Sequence, residues 1–439
     1  MSKKKTENIT EKPEKKKRRG KEDLPETEQQ RKRKLLIKII AAAAAFVVAL
    51  IAFSTGISSY LHRDPGYYQI DTDPIADALL YQRELVLTCY FDGKSSDIRA
   101  SLTETRREYS AALSHIYRLL DPDKTYEGYV NLAYINAHRG EEIALDPILF
   151  DILVRAKELT AKGHFNLFGG ALYKEWSSIS SLDDPASFDP LVNEYEAERL
   201  SVISEKTADL DNFDLEIISE ADHTVKFTVS DRYLRVIDGY ELSRNVLDLG
   251  FLKKAFEIEY TAKCLEKAGI TNGYLASSEG DITFALSGLR EGGIYLNYTL
   301  YEDAPAQACR IAMEPGTVCC QLRSFGLEDP LGYYSVTSDG AEHLRHPHYN
   351  WTNAGVYDDL LSAFAVSYAG GVVEAAEESY RLITAPDTEE AVRIAREAGE
   401  SDMLIGFITK AEPTVVEVDE GHVGELIFAE GRPFTVKPI

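Results

Sequence analysis

Cysteine is scarce, with five in 439 residues, and none sits in a C-x-x-C or zinc-ligand spacing. Cys319 and Cys320 are adjacent, and neighbours bond each other only under strain. A disulfide-built scaffold is therefore excluded, and buried thiols with at most one bridge are expected. Positive charge is equally scarce outside one short region. Residues 1–38 carry 15 Lys and Arg against 7 Asp and Glu, whereas the remainder carries 33 against 65. So acidic a surface repels phosphate backbones, which argues against nucleic acid as a partner. No internal repeat is present, so repeat architectures drop out. The apolar fraction of 44% is too high for a disordered chain, and the length suits one large domain or two ordinary ones.

One long uncharged run stands out. Residues 39–56 read IIAAAAAFVVALIAFSTG. Extended to Leu35 and Tyr60, the run can cross a hydrocarbon core of about 30 Å as a helix, with Lys38 snorkelling at one end. The basic cluster Arg31, Lys32, Arg33, Lys34 precedes it. Positive charge stays inside, which puts the N-terminus in the cytoplasm and the C-terminal domain outside the cell membrane. The long charged region favours an uncleaved anchor, although small residues over 54–59 would permit signal-peptide cleavage. The expected organisation is a disordered basic tail (1–34) able to touch anionic lipid headgroups, a transmembrane signal-anchor helix (35–60), a linker (61–80) broken by Pro65, Gly66 and Pro74, and an extracytoplasmic domain (81–439).

Within that domain, 85–91 (LVLTCYF) reads as a strand. Residues 98–120 and 147–161 read as amphipathic helices, the second stopped by Gly163. Residues 215–218, 225–229 and 234–237 read as consecutive strands. A turn at 248–250 opens a helix running to about 268, with Gly269 as its cap and a strand at 274–276. Short strands follow near 282–286, 294–298 and 309–313. Two late helices (371–383 and 388–398) precede strands at 403–408 and 425–428. Helices and strands mix without strict alternation, which predicts an α+β fold.

Three segments carry a family resemblance. Residues 163–176 read GHFNLFGGALYKEW, residues 246–282 read VLDLGFLKKAFEIEYTAKCLEKAGITNGYLASSEGDI, and residues 339–353 read DGAEHLRHPHYNWTN. In order and spacing they resemble the ApbE family, the FAD:protein FMN transferases. The family patterns are a Gly-x-Phe-Asp core ending in Leu-x-x-x-Trp, DLGGIAKG followed by a helix and GGDI, and a DG turn before an H-I-I-D-P run. Gly163, Phe165, Leu172, Trp176, Asp248, Leu249, Gly250, Lys254, Gly269, Gly280, Asp281, Ile282 and His346 align with them. Asn166 stands for Asp, Phe251 for the second Gly of the turn, and Tyr349-Asn350 for Asp-Pro.

The resemblance implies a transferase that splits FAD at its pyrophosphate and leaves FMN on a Ser or Thr of an acceptor flavoprotein of a membrane electron-transfer complex. Mg2+ would neutralise the phosphates. On that reading His164, Phe165, Asn166, Asp248, Gly250, Lys254 and Asp281 bind FAD, Glu374 and Glu378 hold the metal where the family has Asp and Thr, and His346 acts as base. Each has a plainer alternative: Lys254 as a solvated helix lysine, Asp248 as a helix cap, and Glu374–Glu378 as part of an exposed run with Glu377. A phenyl ring at 251 would crowd a pyrophosphate. The competing expectation is therefore an inactive module of the same fold that binds flavin or a protein partner, and a third is an unrelated extracytoplasmic domain.

Overall fold

The computed structural model describes residues 64–72, 85–290, 292–299, 305–327, 332–398, 403–410, 414–418, 420–431 and 434–439. The tail (1–34) and the apolar run (35–60) lie outside the described residues. Among the described residues, no helix is long and apolar enough to cross a membrane.

A nine-stranded sheet forms the spine. Its order is β1 (Gly66–Ile70), β2 (Leu85–Phe91), β6 (Gly273–Ser277), β7 (Ile282–Ala285), β10 (Val318–Arg323), β13 (Leu360–Ser367), β14 (Met403–Thr409), β15 (Thr414–Val418) and β17 (Phe434–Pro438). Neighbours pair antiparallel, except that β15 and β17 run parallel. Strands β10, β13 and β14 are buried along their whole length, because both faces of the sheet are covered. Ala363 and Ala365 of β13 face a helical core, while Phe364 and Val366 face a second core. The second core is closed by a small sheet of β8 (Gly293–Thr299), β9 (Pro305–Ala312) and β16 (Ile427–Phe428). Period-2 alternation cannot be read in strands that are apolar on both sides.

The helical layer contains α1 (Ser95–Leu120), α7 (Leu252–Lys267), α8 (Val372–Ile383) and α9 (Thr388–Ala398). α7 packs between α1 and α8, and α8 lies on β10 and β13. The apolar positions of α1 recur at helical spacing (Tyr109, Leu113, Ile116, Leu120) and are buried. The Tyr109 hydroxyl donates to the Leu85 carbonyl at 2.8 Å, tying helix to sheet. The helix 147–161 is α3 (Pro147–Ala161); Asp146 caps it through the Ile148 N–H, and Pro147 starts it.

A further layer holds α2 (Leu132–Ala137), α4 (Gly170–Ser180), α5 (Glu194–Ala208), α6 (Asp231–Gly239) and a three-stranded sheet of β3 (Glu142–Ala144), β5 (Thr224–Val229) and β4 (Phe213–Ser219). The hairpin β11 (Tyr334–Ser338) and β12 (Ala341–Arg345) turns at Asp339 and Gly340, both at positive φ, the geometry Asp-Gly favours.

Two sequence expectations are corrected. Residues 234–237 are not a strand but part of α6. Ser230 caps that helix by accepting from the Tyr233 N–H, and Tyr233 and Ile237 bury one turn apart. The linker 61–80 is not wholly a linker, because Gly66–Ile70 forms β1, an edge strand paired with β2. All five cysteines are free thiols, four of them buried.

Candidate functional site

The third glycine of the 163–176 segment organises the site. Gly170 lies so close to the 245–248 segment that its N–H donates to the Val246 carbonyl at 2.9 Å. The Asp248 N–H donates to Leu167 O at 3.1 Å. From the other side, Asn136 Nδ2 donates to Leu247 O, and Asn136 Oδ1 accepts from the Val246 and Leu247 N–H groups. The segment carrying Asp248 is thus held between α2 on one side and the 167–170 turn that opens α4 on the other. Gly250 then takes a positive φ of 48°, its N–H donates to Asp248 Oδ1 at 2.8 Å, and α7 begins.

This arrangement brings much of the sequence-predicted set together. His164, Phe165, Asn166, Asp248 and Gly250 line one cleft with Tyr173, Phe251, Tyr349, Trp351, Glu377 and Tyr380. Asn166 is committed to structure. Its amide donates to Thr207 O, its carbonyl accepts from the Phe168 N–H, and the residue is buried.

Asp248 is also buried, and burial pushes its carboxyl up to about 6, against the pull of the Gly250 N–H and Lys253. Asp248 thus places a buried carboxyl at the wall of the cleft, where its ionised form is costly. The raised value means the folded state holds a proton that the unfolded chain has already lost. Stability therefore falls as pH rises from about 4 through 6, and the ionised group is costly above that window. An Asp248→Asn variant keeps an acceptor for Gly250 without the charge. Thermal denaturation should find it more stable than the parent at pH 7.5, by up to about 3 kcal/mol from a two-unit shift, and little changed at pH 4. Equal effects at both pH values would refute the assignment.

Lys254 and Asp281 do not line the cleft. Lys254 pairs with Glu279. Asp281 accepts from Arg323 Nη2 at 2.6 Å, inside a buried network that also uses Gln321 and the Glu279 carbonyl. Burial pushes the Asp281 carboxyl up to about 6, with Arg323 opposing. Arg323, the partner that defines this network, carries no local sequence signal.

His346 is corrected from base to structural residue. Its Nε2 lies 2.8 Å from Tyr357 O, and its Nδ1 accepts from the His348 N–H at 3.3 Å. A carbonyl can only accept, so the proton sits on Nε2, and both ring nitrogens are engaged. Burial lowers its pKa to about 4.

The metal pair is also divided. Glu374 turns outward to Arg155. Glu378 is buried and accepts both bonds of Arg381 Nη1, at 3.0 and 2.7 Å. With Glu374 held outward by Arg155, the Glu374–Glu378 pair does not present two carboxylates to one ion and does not fit Mg2+. Glu377, read from sequence as part of a solvated run, is instead buried and contacts His164 Nδ1. Burial raises the Glu378 carboxyl to about 7 despite Arg381, with Glu377 adding to the rise.

FAD fits no better in this arrangement. Phe251 stands in the cleft, its ring stacked on Tyr380 at 5.7 Å and 11° and edge-on to His348 at 5.5 Å. Trp176 stacks on Tyr349 behind it. The remaining cavity is about 30 Å³, room for about one water, whereas ligand pockets start at roughly 300 Å³.

No protein-family model matches the chain, and no curated protein matches it by sequence. Solved structures do match. An ApbE protein from Thermotoga maritima aligns with a TM-score of 0.54 and 12% identity, over 82% of this chain and 99% of its own. The flavin transferase ApbE from Vibrio cholerae aligns at 0.52 and 12%, over 80% and 95%. The apo flavinyl transferase ApbE from Pseudomonas stutzeri aligns at 0.51 and 11%, over 84% and 99%. Nearly the whole length of each relative is covered. The described part of the chain therefore has the fold of the ApbE flavin transferases.

Proposed function

We propose that this protein is a membrane-tethered, extracytoplasmic ApbE-fold module that binds a protein partner and does not transfer FMN. One observation carries the reading: the Phe251–Tyr380 stack fills the cleft that a dinucleotide would need. The pairing of Lys254 with Glu279 and of Glu374 with Arg155 supports it, since phosphoryl transfer depends on positive charge aimed at the phosphates. The partner expected from the family resemblance is a flavoprotein of a membrane electron-transfer complex. Losing a site while keeping a fold is the commoner direction of change, because folds tolerate substitutions that active sites do not.

The second reading retains FAD:protein FMN transfer with Mg2+. It is favoured by the convergence of His164, Phe165, Asn166, Asp248 and Gly250 on one cleft, and requires Phe251 to swing aside. One experiment separates the two. Detergent-solubilised full-length protein is incubated with FAD, Mg2+ and a threonine-containing acceptor domain, and the acceptor is weighed by mass spectrometry. No FMN adduct and no flavin retained at micromolar concentration are expected. Phe251→Gly, by emptying the cleft, should raise flavin retention at least about tenfold, equivalent to 1.4 kcal/mol. FMN transfer by the unaltered protein would overturn the binding-module reading and establish the second.

A further inference from the structure

Beside the aromatic cleft, three side chains from two distant parts of the chain converge. His164 follows the end of α3, while Glu377 and Glu378 are consecutive on α8. One ligand atom from each lies within 4.8 Å of the other two. We propose that His164, Glu377 and Glu378 form a binding site for a divalent transition-metal ion of the Zn2+ type. The site shares Glu378 with the pair read from the sequence but takes Glu377 and His164 in place of Glu374, and it does not depend on whether flavin binds.

The donor set selects the class of ion. An imidazole nitrogen with two carboxylate oxygens suits Zn2+, and is poor for Mg2+ or Ca2+, which prefer oxygen alone. Zn2+ takes nitrogen and oxygen ligands at about 2.0–2.2 Å, so the three ligand atoms, which lie within 4.8 Å of one another, would draw in around the ion. The surroundings supply what a bare acidic cluster lacks. Glu377 and Glu378 are adjacent and both buried, a costly juxtaposition of like charge. Arg381 meets Glu378 on one side and reaches on to Glu397 at 3.2 Å. It acts as an outer partner that orients a ligating carboxylate. Glu377 has His164 instead. An ion between them would relieve the repulsion that a single arginine leaves.

Access is also present. His164 and Arg381 border a second crevice of about 320 Å³, lined in part by Lys162, Trp351 and Thr384. His164 is the most exposed of the three ligands, its side chain 28% accessible against 7% for Glu377. An ion can enter from that side and keep one position open to water or to a partner's side chain.

The test uses the full-length protein after chelator treatment and dialysis. Zn2+ is titrated by calorimetry, and bound metal is counted by elemental analysis. One Zn2+ per chain is expected, retained in the presence of a thousandfold excess of Mg2+. His164→Ala should weaken binding at least tenfold, while Glu374→Gln leaves it unchanged. Co2+ in place of Zn2+ should give a visible absorption band that His164→Ala removes. Circular dichroism checks that the His164→Ala variant retains its structure. Absence of bound Zn2+, or the same affinity and Co2+ band in a folded His164→Ala variant, would overturn the proposal.

Discussion

Asp189→Ala should destabilise the domain by about 3–5 kcal/mol, the cost of leaving one member of a buried ion pair without its partner. Asp189 and Arg345 are both almost wholly inaccessible, and they meet side-on: Nε to Oδ2 at 2.9 Å and Nη2 to Oδ1 at 3.1 Å. The remaining capacity is also used. The Tyr334 hydroxyl donates to Asp189 Oδ2 at 2.9 Å, the Leu191 N–H donates to Oδ1 at 2.8 Å, and Arg345 Nη1 donates to Val356 O at 2.6 Å. Removing the carboxylate strands a buried guanidinium without its counter-charge. The pair also fastens the 185–188 turn to the β11–β12 hairpin, whose chain continues into Pro347 and Tyr349 at the cleft. Denaturant midpoints should fall for Asp189→Ala and for Arg345→Met alone. They should recover in large part when both changes are combined, because an apolar pair carries no desolvated charge. Single variants within 1 kcal/mol of the parent would show that the pair is not desolvated as described.

Gly170→Ala is expected to cost about 3 kcal/mol or more and to disorder the cleft. A Cβ at this position would stand 2.3 Å from Asn245 O, 2.8 Å from Val246 O and 3.0 Å from Asp248 Cβ. Two of these atoms are backbone carbonyls, so no rotamer change relieves the clash. The 245–248 segment must move, and the Gly170–Val246 hydrogen bond goes with it. Overpacking costs about 1–3 kcal/mol, and the lost bond adds roughly 1 kcal/mol. Gly239→Ala is the control. It meets nothing within 4 Å and ends α6, so its effect should stay within about 0.5 kcal/mol. If urea titration finds the two variants alike, the close approach at Gly170 is not a constraint.

Much of the fold is legible because its signals are local. The helix 147–161 announces itself with Asp146, Pro147 and Gly163. Strand 85–91 is compact, apolar and β-branched. The turn at 248–250 is marked by a glycine that the structure places at positive φ. Residues 234–237 mislead because four residues of mixed apolar character suit strand and helix alike; the deciding feature is Ser230, a cap four residues upstream. Strand β1 hides behind Pro65 and Gly66, which read as turn. Its right to be a strand comes from pairing with β2, a contact no local pattern records.

The site divides along the same line. That His164, Phe165, Asn166, Asp248 and Gly250 share a neighbourhood follows from the order of the family-like segments. Which charge meets which does not. Residues 374 and 378 share a helix face in any isolated α-helix. In the protein, α8 is buried at Val372, Val373, Ala375, Ala376, Ser379, Leu382 and Ile383, and that packing sets its rotation. Glu374 is left at the rim, where Arg155 meets it, and Glu377 turns toward His164. The arginine partners lie 219 positions from Glu374, 42 from Asp281 and 156 from Asp189. Such pairings are settled by tertiary geometry alone.

Strand β1 has a mechanical consequence. The chain enters it at Gly66, opposite Phe91, which is the open end of the β1–β2 ladder. A pull on the preceding segment, directed away from the sheet, would peel the rungs apart in succession, beginning where Tyr67 leans on Tyr90 and Tyr68 on Phe91. Peeling demands far less force than shearing every rung at once. Strand β2 is paired independently with β6, so the short edge strand can open while the sheet beyond it keeps its ladder.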